Sequence, residues 1–336
     1  MKVLYCVADK GGCGWYRMQL PAKHLKEQGL CDTECIVSAD LSNAKGVDIC
    51  IIQRGFTQEA LRNVKKLQRR GVFVVYELDD NLWLVPKENP NASFWTVERK
   101  SIAAEFVSAC DGVITTNEAM ADYLRRFNKN VSIMPNFVEK LSSKMSHKNK
   151  KLKIGWSGGD SHGIDFSEPI IQALLDIREM CNVELVFIGF VPDALAGHVR
   201  YSREVIPSDY LNKLQSIQFD IGIIPCADIE FNHYKSNIKF LEYSLLSIPT
   251  IASKMTPYME VQNRGMLVDS TYKSWFIALW KLVQDATLRE YLGNKAREFV
   301  EHNYIIENNV RSILQTYVNV RTYNKNKRRC KHELSC

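Results

Sequence analysis

Two halves of the chain repeat one pattern of apolar and polar positions. In the first half the short apolar runs KVLYCVA, DICIIQ, VFVVYEL and GVITT alternate with stretches whose apolar residues recur every three or four positions. Short continuous runs predict buried strands, and the periodic stretches predict helices, here over 17–28 and 57–70. The second half reads the same way. LKIGWSG, VELVFIGF, FDIGIIP and PTIAS predict strands, and 168–180, 208–215 and 239–246 predict helices. Helical patterns resume over 274–320. Strands alternating with helices imply parallel sheets flanked by helices. The expected fold is α/β, two doubly wound parallel-sheet domains facing a central cleft, because such sheets bind ligands at the carboxyl ends of their strands.

The 336-residue length agrees with two domains. The expected division is one Rossmann-like domain over 1–145, a second over 146–295, a helix over 296–320, and a basic tail over 321–336. Net charge is +6, and its placement matters more than its size. The segments KLSSKMSHKNKKLK (140–153) and RTYNKNKRRCKHELSC (321–336) hold six basic residues each, and without them the chain is net acidic. Such segments are either a solvated linker and tail or an attraction to a polyanion, nucleic acid or anionic membrane. No run approaches the roughly 18 apolar residues of a membrane span. The start, MKVLYCVADK, reads as a first strand rather than a signal peptide. Ten cysteines are scattered without a CxxC pair, which fits a reducing cytoplasmic setting.

DKGGCGWYRMQLPAKHL follows the first apolar run. A strand that breaks into glycines and opens a helix commonly approaches a phosphate. The dinucleotide fingerprint needs a third glycine where Arg17 stands, and no P-loop pattern occurs, so NAD-binding and ATPase readings lose ground. Gly12 and Gly14 remain candidates for close approach to a donor, or parts of a plain tight turn.

The stretch FDIGIIPCADIEFNHYKSNIKFLEYSLLSIPTIAS (219–253) resembles the second domain of the GT-B glycosyltransferases, in particular the retaining "glycosyl transferases group one". KGGCGWYRMQLPAKHLKEQG resembles that family's first glycine loop, and KIGWSGG the first strand of its second domain. The resemblance implies two Rossmann-like domains, the acceptor held by 1–145 and the donor by 146–295, with the helix over 296–320 packing back on the first, and a nucleotide-sugar donor, a UDP-sugar in the first instance. It places Glu242 on the ribose hydroxyls and implies metal-independent transfer with no cofactor. The chain departs from the family at three places. Tyr234 replaces the first glutamate of E-x₇-E, WSGGDSHG replaces the usual diphosphate clamp, and YELDDNLW replaces a histidine.

The residues support this chemistry in their own right. A diphosphate needs cations and helix-terminal amides. Lys235 and Lys239, four apart at the start of an expected helix, share one face, with Ser236 as cap, Asn237 beside it and Glu242 two turns on. Gly158 and His162 complete the expected donor set, though a loop histidine, like His233, is more often incidental. Asp79 and Asp80 end a buried strand and are the candidate catalytic carboxylates, as base for the acceptor hydroxyl or as negative charge beside the anomeric carbon. The plainer alternatives are an exposed charged helix face and a capping aspartate. Arg17 and the basic positions Lys65, Lys66, Arg69 and Arg70 are the expected acceptor contacts. This charge suits a polyanion, and GGCGWYRMQLPAKHL followed by YELDD resembles phage-encoded DNA-modifying members of the fold, which implies a 5-hydroxymethylated pyrimidine acceptor, such as 5-hydroxymethylcytosine in bacteriophage DNA, and a host cytoplasm as the setting. The alternatives are a lipid-linked or cell-surface glycan at an anionic membrane, and a non-enzymatic nucleic-acid-binding module.

Overall fold

The structure, a computed structural model, describes residues 1–37, 44–141 and 151–333, with side chains described to residue 323. The first domain begins with β1 (Lys2–Cys6), a single turn α1 (Gly12–Gly14), a π-helical turn (Trp15–Gln19) and α2 (Leu20–Glu27). It continues through β2 (Asp32–Ile36), β3 (Ile49–Gln53), α3 (Gln58–Arg69), β4 (Phe73–Glu77), α4 (Val97–Ala109), β5 (Gly112–Thr115), α5 (Glu118–Leu124) and β6 (Val131–Ile133). The second comprises β7 (Leu152–Gly158), α6 (Glu168–Met180), β8 (Val183–Gly189), β9 (Arg200–Ser202), α7 (Tyr210–Ile217), β10 (Ile221–Ile224), α8 (Ile238–Leu245), β11 (Thr250–Ser253), β12 (Met266–Val268) and α9 (Tyr272–Gln284). Helices α10 (Ala286–Asn303) and α11 (Ile306–Glu333) follow.

Each sheet has six strands, in the orders β2-β1-β3-β4-β5-β6 and β12-β11-β10-β7-β8-β9. Every pairing between these strands is parallel. All five residues of β3 and of β4 are buried, as strands covered on both faces by helices require. Helix α3 shows how local sequence sets an element. Thr57 Oγ1 accepts the Ala60 amide at 3.2 Å and starts it, and Ala60, Leu61, Val64 and Leu67 face inward.

The order reverses beside β1 in the first sheet and beside β7 in the second. Chain leaving β1, β3, β7 and β10 therefore opens onto one crevice.

Most of the expected lysine-rich linker, 142–150, lies outside the described residues. Just before it, Val138 donates its amide to the Tyr304 carbonyl at 3.0 Å and accepts the Ile306 amide at 2.9 Å. Chain leaving the first domain thus meets chain returning to it. Helix α10 packs on α8, and α11 packs on α2, β5 and β6. Tyr5 and Tyr317 join hydroxyls at 3.0 Å, and the Asn130 amide donates to the Val320 carbonyl at 2.7 Å. Among the described residues these contacts with the first domain begin at Tyr304, within the stretch expected from 296. The expected tail from 321 continues α11 as far as Glu333.

Candidate active site

A cleft of about 700 Å³ lies between the carboxyl ends of the two sheets. On its first-domain side, Asp9 Oδ1 accepts the amides of Gly11 at 2.7 Å and Gly14 at 3.2 Å. The turn expected to offer its amides to a donor phosphate thus has two of them held by a carboxylate. Gly14 stays glycine for packing, since a Cβ there would stand 1.9 Å from the Asp9 carbonyl. Gly12 does line the cleft, and a Cβ on it would meet nothing within 4 Å. That glycine leaves space for something other than the protein.

The π-helical turn then aims two side chains inward. Tyr16 donates its hydroxyl to Glu242 Oε1 at 2.7 Å, across the domain boundary. Arg17, expected to touch an acceptor, is only 1 % exposed. Its Nε donates to Glu77 Oε1 at 2.6 Å, and one terminal nitrogen donates to the Met134 carbonyl and Asn136 Oδ1. Arg17 is therefore a strut inside the cleft wall. Asn136 carries the tie onward by donating to Ser236 Oγ at 2.8 Å.

Asp79 and Asp80 follow β4 and face the cleft, and the structure adds a residue that sequence reasoning missed. Arg54, directly after β3, donates to Asp79 Oδ1 at 2.6 Å, to Asp80 Oδ2 at 3.0 Å and to Cys13 Sγ at 2.9 Å. Its φ is +49°, a left-handed conformation costly for a side chain of this size and common at functional sites. The two carboxylates differ. Burial would raise Asp79, but the Arg54 charge, the hydrogen bonds from Cys13 and Arg54 and the Arg17 charge together outweigh it and hold the carboxyl below its ordinary range. Asp80 is raised by burial and by the neighbouring Asp79 charge, against Arg54 and the two lysines. Cys13, Asp79 and Asp80 have donor atoms within 4.8 Å of one another, in a metal-like grouping. The Arg54 guanidinium already occupies the cationic position among them.

The second-domain side carries the expected donor residues, with one change of structure. Helix α8 starts at Ile238, after Lys235, Ser236 and Asn237, so Ser236 is not its cap. Asn237 Nδ2 donates to Glu260 Oε2 at 2.6 Å, a tie within the second domain. The loop from 234 is held from the first domain, where Asn117 donates to the carbonyls of Tyr234 at 2.9 Å and Lys235 at 3.1 Å. His162 stands between the two lysines. Lys239 Nζ lies 3.0 Å from its Nε2, and Lys235 Nζ 3.4 Å from its Nδ1. Asp165, 2 % exposed, accepts from His162 Nδ1 at 2.8 Å and fixes the tautomer, which leaves Nε2 to accept from Lys239.

The shifts here share one cause. Burial, with Lys239 next, pulls His162 down to about 3, so the ring is neutral. Burial and then Lys235 pull Lys239 down to about 8. Burial pushes Glu242 up to about 7, against the Tyr16 hydroxyl and Lys239. Two lysines held close around a neutral ring, beside a buried carboxylate, form a site suited to a diphosphate and a ribose. Gly158 lines the same wall, and a Cβ there would press on Trp156 at 2.7 Å.

Four expected acceptor residues lie elsewhere. Lys65, Lys66, Arg69 and Arg70 are exposed toward the far end of α3. At 1.5 Å per residue Arg70 is roughly 20 Å along the helix axis from Thr57, near the start of β4 rather than its cleft end. None of the four lines the cleft.

No protein-family profile matches the chain, and no curated protein matches it by sequence. Solved structures do match. Sucrose-phosphate synthase from Thermosynechococcus elongatus superposes with a TM-score of 0.71 at 14% identity, over 96% of this chain and 99% of that one. HepE from Anabaena, in complex with UDP, gives 0.65 at 13% identity over 95% and 100%. A glycosyltransferase from Rickettsia africae gives 0.67 at 11% identity over 95% and 98%. At these identities the likeness is one of fold, and the fold is GT-B. Among the described residues no helix is long and apolar enough to cross a membrane.

Proposed function

We propose that the protein is a glycosyltransferase that moves a sugar from a nucleotide-sugar donor, a UDP-sugar in the first instance, to a hydroxyl acceptor. One observation carries the reading: Lys235, Lys239 and Glu242 share a cleft with Asp79 and Asp80 on its opposite wall. In this reading Glu242 accepts the ribose hydroxyls. Lys235 and Lys239 hold the diphosphate and stabilise it as it leaves with its charge. Asp80 takes the proton of the acceptor hydroxyl, and its raised affinity for a proton suits that task. The UDP bound in the HepE structure of the same fold supports the choice of nucleotide.

The test is thermal. A nucleoside diphosphate at about 100 times its Kd stabilises a fold by roughly 2.7 kcal/mol, so one of UDP, GDP, ADP and dTDP is expected to raise Tm by several degrees. No shift with any of them at millimolar concentration refutes the reading.

A hydroxymethylated pyrimidine in duplex DNA is the second reading for the acceptor. The observation favouring it is the exposed basic row Lys65, Lys66, Arg69 and Arg70. That row stands away from the cleft, so a duplex would have to span the first domain to engage both.

A further inference from the structure

The cleft has a wall that neither the donor site nor the paired acids use. The segment between β4 and α4 brings Phe94 and Trp95 to the cleft, where Phe56 from the loop after β3 joins them. The three rings meet edge to face, Phe56 to Phe94 at 5.1 Å, Phe56 to Trp95 at 5.6 Å and Phe94 to Trp95 at 5.1 Å. The cluster is fixed in place. The Arg99 guanidinium lies 4.1 Å from the Phe94 ring centre and donates to the Phe94 carbonyl at 2.7 Å. Phe94 is nevertheless 40 % exposed and so open to a ligand in the cleft. Asn89 and Asn91 line the same wall, and Asn89 Oδ1 accepts the Asn91 backbone amide at 2.9 Å, which leaves its amide nitrogen and the exposed Asn91 side chain for a ligand.

This wall selects by charge as well as shape. Between Leu82 and Trp95 the residues lining the cleft are uncharged. Beyond them stand Asp9, Asp79 and Asp80, with Arg54 already shared between the last two at hydrogen-bond distance, while the Arg99 guanidinium is engaged by the Phe94 ring and carbonyl. A phosphate backbone laid here would meet carboxylates. A neutral molecule with an apolar face and a hydroxylated edge would meet aromatic rings and amides.

We propose that Phe94 and Trp95, with Phe56 behind them and Asn89 and Asn91 beside them, form an acceptor subsite for an uncharged pyranose ring of a sugar or glycan. This rests on the glycosyltransferase reading and names its acceptor class. The sugar's C–H face lies on the aromatic rings, and its hydroxyls bond the asparagine amides.

Binding tests this without requiring turnover. Protein saturated with UDP is titrated by calorimetry with methyl glycosides of glucose, galactose, mannose and N-acetylglucosamine, and with maltotriose and cellotriose. At least one is expected to bind. Phe94→Ala and Trp95→Ala are each expected to weaken it about tenfold, equivalent to 1.4 kcal/mol, with UDP affinity unchanged. Phe94→Leu, which keeps the bulk without the ring, is expected to weaken it less. No binding by any of the six saccharides overturns the subsite, as does binding indifferent to both alanine variants. Displacement of the bound saccharide by duplex DNA carrying 5-hydroxymethylcytosine, but not by unmodified duplex, overturns it in favour of the modified base. Release of free sugar from a UDP-sugar panel by the wild-type protein is measured separately. Its absence counts against the transferase reading and leaves the saccharide titration to decide the subsite.

Discussion

Glu242→Gln is expected to stabilise the protein while weakening its hold on a nucleotide. Burial pushes the Glu242 carboxyl from an ordinary 4.5 up to about 7. At about 1.36 kcal/mol per pH unit, keeping it ionised at pH 8 costs the fold about 3 kcal/mol. The sign follows from linkage. Below pH 4.5 the carboxyl is protonated folded or unfolded, and the wild type and variant should match. Between 4.5 and 7 the unfolded chain releases the proton and the folded one retains it, so the wild type loses stability as pH rises. Glutamine is neutral throughout, keeps the shape, and its Oε1 still accepts from Tyr16. Thermal unfolding at pH 4.5 and 8 should therefore show coincident curves at the first and a variant several degrees more stable at the second. UDP binding should move the other way. Hydrogen bonds to a charged acceptor are worth about 1.5–3 kcal/mol and to a neutral one about 0.5–1.5. Calorimetry at pH 8 should thus show affinity lower by roughly ten- to a hundredfold. A variant melting below the wild type at pH 8 refutes the account of the buried charge. Unchanged UDP affinity refutes the ribose assignment.

Two further outcomes test other parts of the site. Asp80→Asn should lower turnover at least about a hundredfold, the low end for proton-transfer catalysis, with UDP affinity intact, and steady-state kinetics on a labelled sugar nucleotide reads this directly. Lys239 sits near pH 8, so the Kd for UDP should rise as pH climbs through 8 and the cation is lost, whereas Lys239→Met should bind more weakly at pH 7 and show no such limb up to pH 9.

The sequence discloses those parts of the fold that depend on near neighbours. Helix α6 occupies 168–180 as its apolar spacing predicts, and α3 starts at the threonine that caps it. Helices α4 and α5 were not anticipated. In α4 the exposed Val97 and a row of alanines blur the apolar stripe, so its periodicity is faint. Strands β9 and β12 are three-residue edges too short to stand out. The same limit applies at the site. Asp79 and Asp80 announce themselves by ending an apolar run. Arg54 ends DICIIQ in the same way, and that signal was available. The pairing of Arg17 with Glu77 and of Tyr16 with Glu242 joins residues 60 and 226 positions apart. No local pattern encodes such a distance, so Arg17 reads as a ligand contact in sequence and proves to be an internal strut.

The packing of α11 on the first domain bears on how the chain is made. Tyr5 and Tyr317 touch across 312 positions of sequence. A ribosome has synthesised the whole first sheet by Ile133, while the helix that covers its apolar flank, from Ile306 on, is still to be made. At about 5–20 residues per second, Met18, Leu20 and Leu25, which share a core with Ile313 and Val320, wait roughly ten to forty seconds for their cover. During that interval the nascent first domain exposes a sticky face, and the second domain folds beside it. A nascent chain arrested before residue 306 should therefore be held by chaperones, and release of the full-length protein should end that hold.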